Sequence, residues 1–238
     1  MKISVIPYAA AARPELTHNK TIVVIDVLRA TSVMLTALAN GAYEVVPAIS
    51  PEEVLQKSLL YNPEEVLLAG EQQAVKIEGF HLGNSPLEFT REKVSGKTII
   101  MSTTNGTKAL NSCLNAKVVL IGAFLNTEAI ITRLLQEEEV VLFCSGTNNN
   151  FSLDDGLCAA MIIDGLVTQL TIKPTLSDFG SLLLKAYRSN KNLSESLKEC
   201  HHLNLLKLKG FEHDVTYCLQ NSLCDIVPTM NLISKSIK

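Results

Sequence analysis

The chain has 238 residues, enough for one large domain or two small ones. With 47% hydrophobic residues it can bury a sizeable core, while 5% aromatics and no Trp argue against a protein that stacks nucleic-acid bases. A net charge of −3 without a basic block argues against nucleic-acid and anionic-membrane partners; a small anion remains open, because a pocket needs only a few local cations.

The N-terminus, MKISVIPYAAAARPEL, has a short apolar stretch broken by Pro7, so it is not read as a signal peptide. No apolar run approaches the ~20 residues of a membrane span, and the expected compartment is the cytoplasm. Residues 21–27 (TIVVIDV) are a β-branched run, the pattern of a strand buried on both faces. The run ends in Asp26, with Arg29, Thr31 and Ser32 just beyond. Residues 31–39 read as a helix stopped by Asn40-Gly41. Residues 43–49 read as a strand that Pro47 places near an edge or ends. Ser50-Pro51-Glu52-Glu53 starts a helix that finishes before Asn62-Pro63. EVLLAG (65–70) is the next strand, followed by Glu71.

The alternation continues with strand 97–103, helix 107–114, strand 117–123, helix 127–136, strand 140–146 and a helix over 153–170 that opens on Asp154-Asp155. Beyond 174 the pattern is helical, and DIVPTMNL closes it. Strands alternating with helices imply an α/β fold, a sheet between helix layers. No long linker, low-complexity segment or internal repeat divides residues 1–238, so one domain is expected.

Six dispersed cysteines, none in a C-x-x-C pair, are expected to be reduced thiols. Cys200-His201-His202 has no partner cluster at zinc-like spacing and is read as polar surface. Cys144 lacks the arginine six residues on that a cysteine phosphatase needs, because Asn150 stands there; a packed thiol is expected. Asp26 lies in D-V-L-R-A-T, which is not the D-x-D-x-T of an aspartyl-phosphate phosphatase, and dinucleotide, serine-hydrolase and kinase patterns are missing or incomplete.

What remains is a set of polar strand ends. In a parallel α/β sheet, the carboxyl ends of strands share one edge, where ligands bind. There stand Asp26 with Arg29, Thr31 and Ser32; Glu71; Ser102-Thr103-Thr104-Asn105-Gly106-Thr107; and Ser145-Gly146, followed by Asp154-Asp155. In STTNGTKAL the small-residue turn and helix start can aim N–H groups and hydroxyls at an anion, or can simply be a turn with a Thr cap. Arg29 offers a planar fork matched to an oxyanion. Asp26, Glu71, Asp154 and Asp155 would repel an anionic substrate unless a cation lies between them, and Mg²⁺ suits hard oxygen ligands and phosphoryl oxygens. The alternative for the acidic pair is a helix start that favours negative charge.

IDVLRATSV, GNSP (83–86), STTNGT, FSLDDG and the closing DVTYCLQNSLCDIVP resemble, in order and content, the 2-phosphosulfolactate phosphatase family of the coenzyme M pathway. The resemblance runs from Asp26 to Pro228. It implies a three-layer α/β/α fold with a mixed, largely parallel sheet, and a Mg²⁺-dependent phosphatase releasing phosphate from 2-phospho-3-sulfolactate. It also implies that Asp26, Arg29, Thr31, Ser32, Asn84, Ser85, Thr104, Asn105, Gly106, Thr107 and the acidic pair lie in the site. This chain has Asp154-Asp155 where the family is expected to favour Glu-Asp, which puts the role of the first acid in question more than the second. On this reading Asp26, Arg29 and Asp155 are catalytic, and Thr103, Ser145 and Gly146 join the substrate-binding set. Asp26, Glu71, Asp154 and Asp155 are the metal candidates. The expected partner is a small phosphorylated anion, with homo-oligomer formation left open. The rival readings are a phosphohydrolase for another 2-phospho-acid and a non-enzymatic anion-binding domain.

Overall fold

The computed structural model describes residues 1–238. In chain order the elements are β1 (Lys2–Ile6), α1 (Pro14–Thr17), β2 (Thr21–Ile25), α2 (Ala30–Ala39), β3 (Glu44–Ala48), α3 (Pro51–Ser58), β4 (Val66–Gln72), β5 (Val75–Lys76), α4 (Arg91–Val94) and β6 (Thr98–Ser102). There follow α5 (Gly106–Asn111), β7 (Val118–Gly122), α6 (Thr127–Leu134), β8 (Glu139–Cys144), α7 (Leu153–Gln169), β9 (Thr175–Leu176), α8 (Asp178–Ser189), α9 (Leu193–Ser196), α10 (His201–Leu208) and α11 (Glu212–Cys218).

The fold is α/β, with mostly parallel strands and helices on both sides of a five-stranded sheet of order β7-β2-β8-β1-β9. Every pairing in that sheet is parallel. β2 is buried along its whole length, as its β-branched run requires. Its side chains alternate between two cores: Val23 and Ile25 face the helices α6, α7 and α8, whereas Ile22 and Val24 face α2 and α5. β1 falls in the stretch read above only as a short apolar run before Pro7, and it pairs with both β8 and β9.

The remaining strands form a second sheet of order β3-β6-β4-β5, parallel except for the β4–β5 hairpin. It stacks outside α2 and α5, so the α/β/α sandwich around the first sheet gains a further β layer, with α3 on its outer face. β3 is the edge strand, as Pro47 predicts. Val45 N–H donates to Ile237 O from the C-terminal tail. Two residues on, the same side of the strand carries Pro47, which has no N–H to leave unpaired. α3 begins as its sequence dictates: Ser50 Oγ accepts from Glu53 N at 3.2 Å, and Glu53 reaches back to Ile49 N at 2.7 Å.

Candidate active site

Parallel pairing puts the carboxyl ends of β2 and β8 on one edge of the first sheet, and those of β4 and β6 on one edge of the second. A cavity of about 330 Å³ opens where the two edges meet. Asp26, Leu28 and Arg29 reach it from β2; Glu71, Gln73 and Ala74 from β4; Thr103, Thr104 and Asn105 from β6; Thr147 and Asn148 from β8. Asn84 adds one wall, and α10 supplies His202, Leu205, Leu206 and Lys209.

The turn between β2 and α2 is locked by its own side chains. Thr31 Oγ1 lies 2.9 Å from Asp26 O and 3.0 Å from Asp26 N, and Ser32 Oγ donates to Val27 O at 2.7 Å. Thr31 and Ser32 are therefore buried behind the cavity and hold the turn. Asp26 Oδ1 accepts from Ala30 N at 3.2 Å. Gly106 lets the other oxygen approach, since a Cβ there would stand 2.8 Å from Asp26 Oδ2. Burial raises the Asp26 pKa from 3.8 to about 7, the Ala30 bond lowers it, and Asp154 and Glu71 raise it further.

Arg29 is only 2% exposed. Its Nη1 pairs with Asp214, its Nη2 donates to Ala74 O at 3.3 Å, and its guanidinium lies 4.1 Å from the Phe211 ring centre. Asp214 also accepts from Ser85 Oγ at 2.7 Å, so Ser85 joins the site through Asp214 and not through the cavity wall. Part of the fork expected to meet an oxyanion is already occupied by protein. Asp214 stands in the DVTYC segment, where nothing local marks it as the partner of a residue 185 positions away.

Glu71 is similarly engaged. Its Oε1 accepts from both Thr104 N and Thr104 Oγ1 at 2.8 Å, and its Oε2 accepts from Ala74 N at 2.6 Å. Thr107 Oγ1 donates to Thr103 O at 2.8 Å. Of the 103–107 stretch, Thr103, Thr104 and Asn105 line the cavity, while Gly106 and Thr107 pack behind it.

Asp154, Asp155, Ser145 and Gly146 do not line the cavity. Asp155 accepts from Val27 N and Gly146 N, both at 2.9 Å, and so ties the β2 turn to the β8 loop. Burial, then Asp154, pushes the Asp155 pKa well up. Asp154 is buried beside Cys200 Sγ, 3.6 Å from its Oδ1, and burial raises its pKa against the pull of His202. Cys144 is a buried thiol with a pKa raised by burial, as a packed strand-end cysteine should be.

His202 and Lys209 are among the cavity residues that escaped the sequence reading. His202 and Lys209 stand seven apart on α10 and its final turn, with Leu205 and Leu206 between them, so one helical face looks into the site. The spacing was visible in HLNLLKLK; the fact that this face is turned toward the strand ends was not.

The cavity bears on metal binding through its donors. No group of three or more His, Cys, Asp or Glu side chains is arranged to hold an ion. Mg²⁺ needs no such cage: it takes one or two carboxylates, keeps waters and binds substrate oxygens. Asp26, Glu71 and Asn84 Oδ1 meet that requirement on the cavity wall. Asn84 is 7% exposed and its Oδ1 has no hydrogen-bond partner, a buried acceptor left for something that enters.

Fold and site together define an α/β protein with a small, acid-bearing polar cleft at the carboxyl ends of its strands. The family profile described as 2-phosphosulpholactate phosphatase matches residues 8–232, and the chain belongs to that family. It is 46% identical over 230 residues to a probable 2-phosphosulfolactate phosphatase of Clostridium perfringens (strain SM101 / Type A), covering 95% of this chain and 92% of that protein. It is 40% identical over 229 residues to one of Clostridium botulinum (strain Eklund 17B / Type B), covering 96% of each.

Proposed function

We propose that this chain is a Mg²⁺-dependent phosphatase that hydrolyses 2-phospho-3-sulfolactate to 3-sulfolactate and phosphate. Its relatives are named probable 2-phosphosulfolactate phosphatases, and they match it over almost the whole chain. The observation that carries the metal requirement is the charge balance of the cavity. The substrate brings a phosphate, a carboxylate and a sulfonate. The wall offers Arg29, already paired with Asp214, and Lys209, against the carboxylates of Asp26 and Glu71. Such a wall would hold a polyanion poorly unless a divalent cation offset its carboxylates.

Asp26, Glu71 and Asn84 are the residues that would hold the ion. When bound, it neutralises the phosphoryl oxygens and acidifies a bound water. The chain's own groups do the rest. Thr103, Asn105 and the unengaged N–H groups of Arg29 donate to oxygens of the substrate, where charge grows as the ester breaks. Thr31, Ser32 and Asp155 fix the turn that carries Asp26 and Arg29. As a carboxylate, Asp26 either attacks phosphorus, forming an acyl phosphate that water then hydrolyses, or takes a proton from attacking water; the bond from phosphorus to the C2 oxygen breaks, and that oxygen takes a proton from solvent. Trapping a phosphoenzyme on Asp26 separates the two routes.

The test is phosphate release from a panel of 2-phospho-acids. Turnover selective for the sulfonated acid upholds the reading. Equal turnover of non-sulfonated acids assigns the chain a broader substrate class, and binding without phosphate release at any Mg²⁺ concentration refutes a phosphatase.

A further inference from the structure

His202 comes from the Cys200-His201-His202 run, and the mechanism above gives it no part. Yet its ring lines the cavity, while His201 beside it is exposed. Its Nδ1 lies 2.6 Å from Thr147 Oγ1, which in turn lies 2.6 Å from Ser152 Oγ. Its Nε2 makes no hydrogen bond to the protein and is not among the buried unpartnered atoms. One ring nitrogen is fixed; the other has no partner in the protein.

Proton counting favours one tautomer. Each hydroxyl has one hydrogen to donate. If Nδ1–H donated to Thr147, one hydroxyl hydrogen would be left without a protein acceptor: that of Ser152, which is 5% exposed and whose Oγ makes no other hydrogen bond, or, were Ser152 to donate to Thr147 as well, that of Thr147. In the opposite direction every hydrogen is used: Ser152 donates to Thr147, and Thr147 donates to Nδ1. The ring proton then resides on Nε2. Burial lowers the His202 pKa, which keeps the imidazole neutral with that single N–H.

We propose that His202 is a substrate-binding residue that donates its Nε2–H to an anionic oxygen of the substrate, oriented by a Ser152–Thr147 hydroxyl relay. A neutral donor suits this cavity, whose arginine is already paired. The proposal rests on the cavity being the substrate site. Thr147 acts through His202 and is a positioning residue.

Two measurements test it. Proton–nitrogen correlation spectra of ¹⁵N-histidine-labelled wild-type protein, assigned by loss of one ring in His202→Gln, report the tautomer directly. Nε2–H is expected, and Nδ1–H overturns the proposal. In kinetics with 2-phosphosulfolactate, His202→Leu should raise KM roughly 10- to 100-fold with a smaller change in kcat, the range for one hydrogen bond to a charged group. His202→Gln should recover part of the loss, because its amide nitrogen falls near the Nε2 position. Thr147→Val should raise KM about 3- to 10-fold, because it frees the tautomer without removing the ring. A His202→Leu protein that melts like wild type and keeps KM within about twofold overturns the assignment. If wild-type protein releases no phosphate from 2-phosphosulfolactate, the substrate reading fails by itself. Calorimetric titration of inorganic phosphate then decides the role of His202: weakening of about tenfold or more in His202→Leu supports it, and equal affinity overturns it.

Discussion

Replacing Asp26 with asparagine removes a carboxylate that costs the fold stability whenever it is ionised. The side chain is buried, and its pKa is raised from 3.8 to about 7. An acid with a raised folded-state pKa binds its proton more tightly when folded. Stability is therefore greatest below the unfolded value near 4 and falls as pH climbs through about 7. At about 1.4 kcal/mol per pH unit, the gap corresponds to about 4 kcal/mol lost by pH 8, an upper bound because unfolded chains are partly compact. Asparagine keeps an oxygen for Ala30 N–H and carries no charge. In EDTA at pH 8, Asp26→Asn should melt about 5–15 °C above wild type, and the difference should shrink toward zero near pH 4. Differential scanning calorimetry across that range measures it. An Asp26→Asn protein that melts below wild type at pH 8, or a gap that ignores pH, refutes the burial and ionisation assigned to this residue.

Asp214→Ala leaves Arg29 buried without its carboxylate and should cost about 3–5 kcal/mol in chemical denaturation. Arg29→Lys loses the Phe211 stacking and the forked contacts, and should lower kcat/KM at least about tenfold in steady-state assays. Gln73 and Ala74 form the β4–β5 turn with φ of 52° and 67°. Ala74→Gly relieves left-handed strain while keeping the backbone bonds to Arg29 and Glu71, and should stabilise by roughly 0.5–1 kcal/mol net of the extra freedom of the unfolded chain.

The alternation of strands and helices and the collection of polar residues at strand ends were legible because both are local patterns. β2 reads as a doubly buried strand from its residues alone, and Pro47 marks β3 as an edge. What the sequence did not disclose is non-local. Nothing in periodicity states that β3, β4 and β6 leave the first sheet to build a second, since the pairing of strands depends on contacts across the chain. KISVI is too short to declare itself as β1, yet it pairs on both sides within the first sheet, with β8 and β9. Asp155 and Arg29 illustrate the same limit within the site. Both residues were picked out, but only the fold reveals that Asp155 spends both oxygens on the Val27 and Gly146 amides, and that Arg29 arrives paired with Asp214. His202 carried a signal in its helical spacing with Leu205, Leu206 and Lys209, which acquires meaning once α10 is known to cover the cleft.

On the function proposed above, distant acids and polar strand ends enclose one anion site that works through a divalent ion. The most direct measurement is phosphate release from 2-phosphosulfolactate by wild-type protein, first with Mg²⁺, then after EDTA, then after Mg²⁺ is restored. Turnover, its loss and its return are expected. Undiminished phosphate release in EDTA, or none in the presence of Mg²⁺, would contradict that function.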